Sequence, residues 1–134
     1  MIVRATWKGG KTFVAEGDGL SPVEMEWGEG KKRFSPMDLL LSALAGCTGI
    51  DIVDILQKMR ERVSRVEVTA EGERREEHPR IWRKIVVKYD VYGRGLSAEK
   101  VEKAVHLSAE KYCSVSAMLR DDVKITHTFT VHEE

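Results

Sequence analysis

Two cysteines, Cys47 and Cys113, are the side chains in this sequence best suited to covalent redox chemistry. A thiolate is a nucleophile that oxidises to a sulfenic acid, and a second thiol can condense with that acid to a disulfide. The two positions lie 66 residues apart, so only folding can bring them together, and spacing alone assigns no pairing. Two inert buried thiols are the plain alternative. Asp51 stands one helical turn after Cys47, where a carboxylate raises the thiol pKa unless a cation offsets it. Asp51 and Asp54 could hold an arginine near the thiol or mark where a helix emerges into solvent. His78, His106, His127 and His132 show no metal-ligand spacing with one another or with the cysteines, so no metal is expected. His106, seven residues before Cys113, admits either a Cys/His pair or a surface histidine between Glu102 and Glu110. His127 falls on an apolar stripe and reads as a hydrogen-bonded core histidine. Gly9-Gly10 and Gly17-Asp18-Gly19 lack the following helix and the lysine of a phosphate loop.

The elements that must position these groups follow from periodicity and punctuation. Ile2–Trp7 and Lys11–Glu16 flank Gly9-Gly10 as a β-hairpin, and Val23, Met25 and Trp27 alternate with Glu24 and Glu26 as a third strand. Ser35-Pro36-Met37-Asp38 offers a serine N-cap, a proline at the first helical position and a carboxylate at the third. The helix that starts there is apolar nearly all round from Leu39 to Leu56, which predicts central burial, and it carries Cys47 in its interior. Gly46 and Gly49 flank the thiol at a cost of about 1 kcal/mol each relative to alanine; close approach of another element or access for a substrate would account for them. Val66, Val68 and Ala70, then Ile85, Val87, Tyr89 and Val91, mark two long strands around a turn at Glu76–Arg80. Ser97 caps a second helix, on which Val101, Ala104, Val105, Ser108 and Tyr112 recur at helical spacing. Cys113 sits where that helix breaks and a short third one begins, so backbone N–H groups there are expected to lower its pKa. Val123, Ile125, His127, Phe129 and Val131 alternate as a closing strand. The order β-β-β-α-β-β-α-(α)-β predicts an α+β domain spanning residues 1–134.

Bulk composition narrows the partners. The chain has 134 residues, with 22 Lys+Arg balancing 22 Asp+Glu, so net charge gives no reason to expect a nucleic acid or an anionic membrane. The segment Met37–Ile55 is interrupted by Asp38, Asp51 and Asp54 and reads as too polar for a membrane span. With no secretory pattern at the N-terminus, a soluble, cytoplasmic protein is expected, where a structural disulfide is disfavoured.

Ser35-Pro36-Met37-Asp38-Leu39-Leu40-Leu41-Ser42-Ala43-Leu44-Ala45-Gly46-Cys47 resembles the helix of the OsmC/Ohr family that carries its reactive cysteine. Cys113-Ser114-Val115-Ser116-Ala117-Met118-Leu119 resembles the family's second motif, with Ser114 in place of the usual proline. The element order matches that family from end to end, and the wording Gly46–Val53 looks closest to an OsmC-like branch. The resemblance implies a fold of central buried helices covered by antiparallel sheets, assembled as an intertwined homodimer with its sites at the subunit interface. It implies reduction of organic, even fatty-acid, hydroperoxides: Cys47 attacks the peroxide, Cys113 resolves to a disulfide, and an external dithiol reduces it, with no cofactor. The family activates the attacking thiol with an arginine and a glutamate. Met37 stands where that glutamate follows the proline, with Asp38 next to it as a capping or catalytic carboxylate; Arg33 and Arg4 are the candidate arginines. The alternative is a non-catalytic OsmC-like dimer that binds an apolar ligand or serves as a redox sensor.

Overall fold

A computed structural model describes residues 1–119 and 121–134. The chain forms two compact units, Met1–Leu40 and Leu41–Glu134.

In the first unit, β1 (Val3–Trp7), β2 (Thr12–Gly17) and β3 (Val23–Glu26) form an antiparallel meander. Gly9 and Gly10 both take positive φ in the β1–β2 turn, the conformation that the Gly-Gly pair makes inexpensive. The expected capping box then starts the long helix α1 (Pro36–Lys58). The Asp38 N–H donates to Ser35 Oγ at 3.1 Å, and the Ser35 N–H donates to Asp38 Oδ2 at 2.9 Å.

In the second unit, β4 (Arg62–Arg74), β5 (Trp82–Arg94) and β6 (Lys124–Glu133) make one sheet in the order β4-β5-β6. The expected antiparallel pairing holds between β4 and β5, whereas β6 runs parallel to β5, with Tyr89 opposite Phe129 and Val87 opposite His127. The reversal arises because α2 (Ala98–Leu107), a π-helical turn (Ser108–Tyr112) and α3 (Ser114–Met118) intervene, long enough for a crossover that a hairpin cannot make. The core gathers Leu44, Ile52 and Leu56 of α1, Ile85, Val87, Tyr89 and Val91 of β5, Val101, Ala104 and Val105 of α2, and Cys113.

Burial of α1 is one-sided. Leu44, Thr48, Ile52 and Leu56, a strict i, i+4 stripe, are buried, while Ile50 is 70% exposed. The helix departs here from the central burial that its composition suggested, because one chain covers one stripe of it. By length and composition α1 is apolar enough to cross a membrane, contrary to the reading of its aspartates as interruptions, yet its buried stripe belongs to the core of the second unit. Its C-terminus closes with Arg60 at φ 62° and a bond from the Glu61 N–H to the Leu56 carbonyl at 2.9 Å, the geometry of a Schellman stop.

Candidate functional site

Cys47 projects from the middle of α1, half-buried and flanked on the buried stripe by Leu44 and Thr48. The glycines beside it differ. A Cβ on Gly49 would meet Val68 Cγ2 of β4 at 3.2 Å, so close packing accounts for that glycine; a Cβ on Gly46 would meet nothing within 4 Å in this chain. Cys113 is 4% exposed and lies at the junction of the π-helical turn and α3. Its N–H donates to the Ser108 carbonyl at 2.9 Å, which fixes where the wide turn ends.

Folding brings the two sulfurs together. Cys47 Sγ, Cys113 Sγ and a carboxylate oxygen of Asp51 all lie within 4.8 Å of one another. Both thiols are free. Asp51 reaches this position because four residues bring it back to the Cys47 face of α1. Its Oδ2 accepts a 2.9 Å hydrogen bond from the Ser108 hydroxyl, which is fully buried. The absence of ligand spacing in the sequence thus concealed a group of three convergent donors that only the tertiary fold assembles.

The electrostatics of Cys113 overturn the expectation for it. Burial pushes its thiol up to about 11, and the nearby Cys47 and Asp51 add to the rise. The Ser116 N–H donates to Cys113 Sγ at 3.3 Å and acts the other way, as expected at a helix start, but five residues of α3 do not offset the loss of water. Cys113 is therefore protonated at neutral pH.

A second polar group lies in the same core. The Tyr89 hydroxyl and His127 Nδ1 are 2.8 Å apart, which bears out the reading of His127 as a hydrogen-bonded core histidine. Burial pushes Tyr89 up to about 12 and lowers the pKa of His127. Thr48, buried in the same core, donates to the Leu44 carbonyl at 3.0 Å. Thr48, Tyr89 and Ser108 carried no sequence motif; their one signal was a hydroxyl at a position where periodicity places an apolar core residue.

The remaining candidates lie in the first unit, and Arg33 and Asp38 are each held by a local partner. Arg33 pairs with Glu24 and, at 3.1 Å, with Glu26 Oε2, and these carboxylates raise its pKa. Asp38 caps α1 and pairs with Lys31 at 2.6 Å; the lysine first, then the Ser35 N–H, holds its carboxyl below the usual range. Arg4 lies exposed on β1.

Two depressions border α1 within the second unit. One of about 540 Å³ is lined by Ala45, Gly46, Gly49, Ile50, Val53, Val66 and Val68 among others and is mainly apolar. The other, of about 460 Å³, is bordered by Asp51, Asp54, Lys58, Ile55, Met59, Leu107 and Tyr112, so the Asp51 end of the thiol group faces open space.

A family model described as OsmC-like protein matches residues 28–128, a stretch that includes both cysteines. The chain belongs to the OsmC-like family. Protein YhfA of Escherichia coli K12, a curated relative, is 45% identical over 131 residues, covering 98% of each chain. A hypothetical protein from Aquifex aeolicus VF5 has a solved structure with a TM-score of 0.89 at 32% identity, over 99% of this chain and 96% of that one. A Legionella pneumophila structure described as an organic hydroperoxide resistance protein OsmC and predicted redox protein superposes with a TM-score of 0.72 at 19% identity, over 97% of each chain. At that identity the last likeness speaks for the OsmC-like fold.

Proposed function

We propose that the chain is a thiol-dependent reductase of organic hydroperoxides. The observation that carries this reading is the approach of Cys47 and Cys113 from positions 66 residues apart to sulfurs within 4.8 Å. Half-buried Cys47 is the attacking thiol: as thiolate it takes the terminal oxygen of the hydroperoxide, releases an alcohol and becomes a sulfenic acid. Cys113, buried and protonated, is the resolving thiol. It condenses with the sulfenic acid to a disulfide and water, and an external dithiol then reduces the disulfide to two thiols. The proton that Cys113 carries leaves with the sulfenic hydroxyl as water when the S–S bond forms.

Arg33, paired with Glu24 and Glu26, is the cation proposed to activate the attacking thiol, and Asp38 serves as the helix cap. The chain acts as a cytoplasmic single domain of residues 1–134 and as a homodimer, in which a second copy covers the exposed Ile50 face of α1. The apolar groove along that face supports the other reading, a non-catalytic dimer that binds an apolar ligand and uses the cysteines as a redox sensor.

Turnover separates them. With a dithiol reductant in excess, wild type is expected to consume cumene hydroperoxide catalytically, Cys47→Ser to consume none, and Arg33→Ala to consume it more slowly. Wild type that consumes no more than Cys47→Ser would leave the sensor reading standing.

A further inference from the structure

We propose that reduced Cys47 and Cys113, together with Asp51, form a three-ligand site for Zn²⁺. The inference does not rest on peroxide reduction. It rests on three side chains of the right chemistry converging from two separate segments of the fold.

Zinc takes thiolate sulfur at roughly 2.3 Å and carboxylate oxygen at roughly 2.0–2.2 Å, usually in a tetrahedron. Two sulfurs on one tetrahedral zinc stand about 3.8 Å apart by that geometry. The donor atoms here, all within 4.8 Å, need close by no more than about an ångström. Two thiolates and one carboxylate also cancel the ion's double charge and leave one negative charge in excess.

The surroundings fit a ligand set. The buried Ser108 hydroxyl donates to Asp51 Oδ2 at 2.9 Å and holds the carboxylate in place beside the two sulfurs. The depression of about 460 Å³ that Asp51 borders gives the site an approach from its carboxylate end. Cys113, buried in the core, cannot rotate away from the site without breaking its hydrogen bond from the Ser116 N–H.

Binding is a simple exchange: two S–H bonds break, two Zn–S bonds form, and two protons pass to solvent, with no change of oxidation state. Occupancy by zinc and oxidation to a disulfide are mutually exclusive, since both use the same sulfur lone pairs. Zinc therefore shields the reduced pair, and an oxidant that forms the disulfide expels the ion.

The test uses the reduced full-length protein with Zn²⁺, competed against a chromophoric chelator, and with Co²⁺ as a spectroscopic probe. The expected result is one ion per chain, about two protons released per zinc, and a thiolate-to-cobalt charge-transfer band. Cys47→Ser and Cys113→Ser should each weaken the band, and the double variant should lose it. Asp51→Asn, which keeps size and fold, should weaken zinc by at least about tenfold, the range in which altered ligand shells act. Alkylation of both thiols by iodoacetamide should slow on zinc addition, a readout that needs no peroxide. Absence of the charge-transfer band in wild type, or zinc affinity unchanged in Asp51→Asn, overturns the site whatever the outcome with hydroperoxides.

Discussion

The Ser108 hydroxyl donates to Asp51 Oδ2 at 2.9 Å, tying the π-helical turn that precedes Cys113 to the turn of α1 that follows Cys47. Each partner lies close to one cysteine, so this bond holds the two thiol-bearing segments in register. Ser108→Ala removes a fully buried donor and leaves the carboxylate short of a partner, at an expected cost of about 1–3 kcal/mol. Urea unfolding measures it: the midpoint should fall with the slope unchanged. An unchanged midpoint would show that the bond contributes nothing to the folded state.

The raised pKa of Cys113 makes the protein sensitive to alkali. A group whose folded pKa is above its unfolded value stabilises fully below the unfolded value, and that stability is lost as pH rises toward the folded one. For Cys113 the window runs from about 8.5, the value for a free thiol, to about 11 in the folded chain. Stability should therefore decline across that window, and less steeply in Cys113→Ala. In the folded protein, iodoacetamide at neutral pH should modify Cys47 well before Cys113, as read by peptide mass. Faster modification of Cys113 at neutral pH would contradict the assignment of Cys47 as the attacking thiol.

Much of this was legible from local signals. The start of α1 could be read because Ser35, Pro36 and Asp38 act within one turn, and the strands because alternation is local. The parallel pairing of β6 could not be read, since direction depends on where the crossover through α2 and α3 places the chain. Periodicity also could not say which face of α1 a single chain covers. The convergence of Cys47, Asp51 and Cys113 was hidden for the same reason: Asp51 is a local neighbour of Cys47, whereas Cys113 arrives by folding. The direction of the Cys113 shift is hidden from the sequence, which displays helix-start N–H groups but not desolvation, and desolvation is larger.

Asp38 carries helix capping. Asp38→Ala should cost about 1 kcal/mol, typical of a lost cap on a partly exposed helix end. Because its folded pKa is depressed, its contribution is present above the unfolded carboxylate value and lost as pH falls through the folded one. Thermal melts at neutral and acidic pH should show wild type and Asp38→Ala converging in acid. A full loss of hydroperoxide turnover in a folded Asp38→Ala would instead make Asp38 catalytic.

Ile50 tests the dimer. It is 70% exposed on α1, so Ile50→Glu should cost the single chain no more than about 0.5 kcal/mol, as at an ordinary surface position. Sedimentation of wild type should give twice the 15.2 kDa chain mass, and of Ile50→Glu the chain mass alone. A wild-type protein that sediments as one chain would contradict the homodimer.

Counting thiols tests the redox pair most directly. Reduced protein is treated with one equivalent of cumene hydroperoxide, and free thiols are titrated before and after under denaturing conditions. Wild type should go from two thiols per chain to none, with an intact mass lower by two hydrogens. Cys113→Ser should gain one oxygen, the mark of an unresolved sulfenic acid on Cys47, and Cys47→Ser should keep its single thiol. Two thiols remaining in folded wild-type protein after exposure would contradict the account.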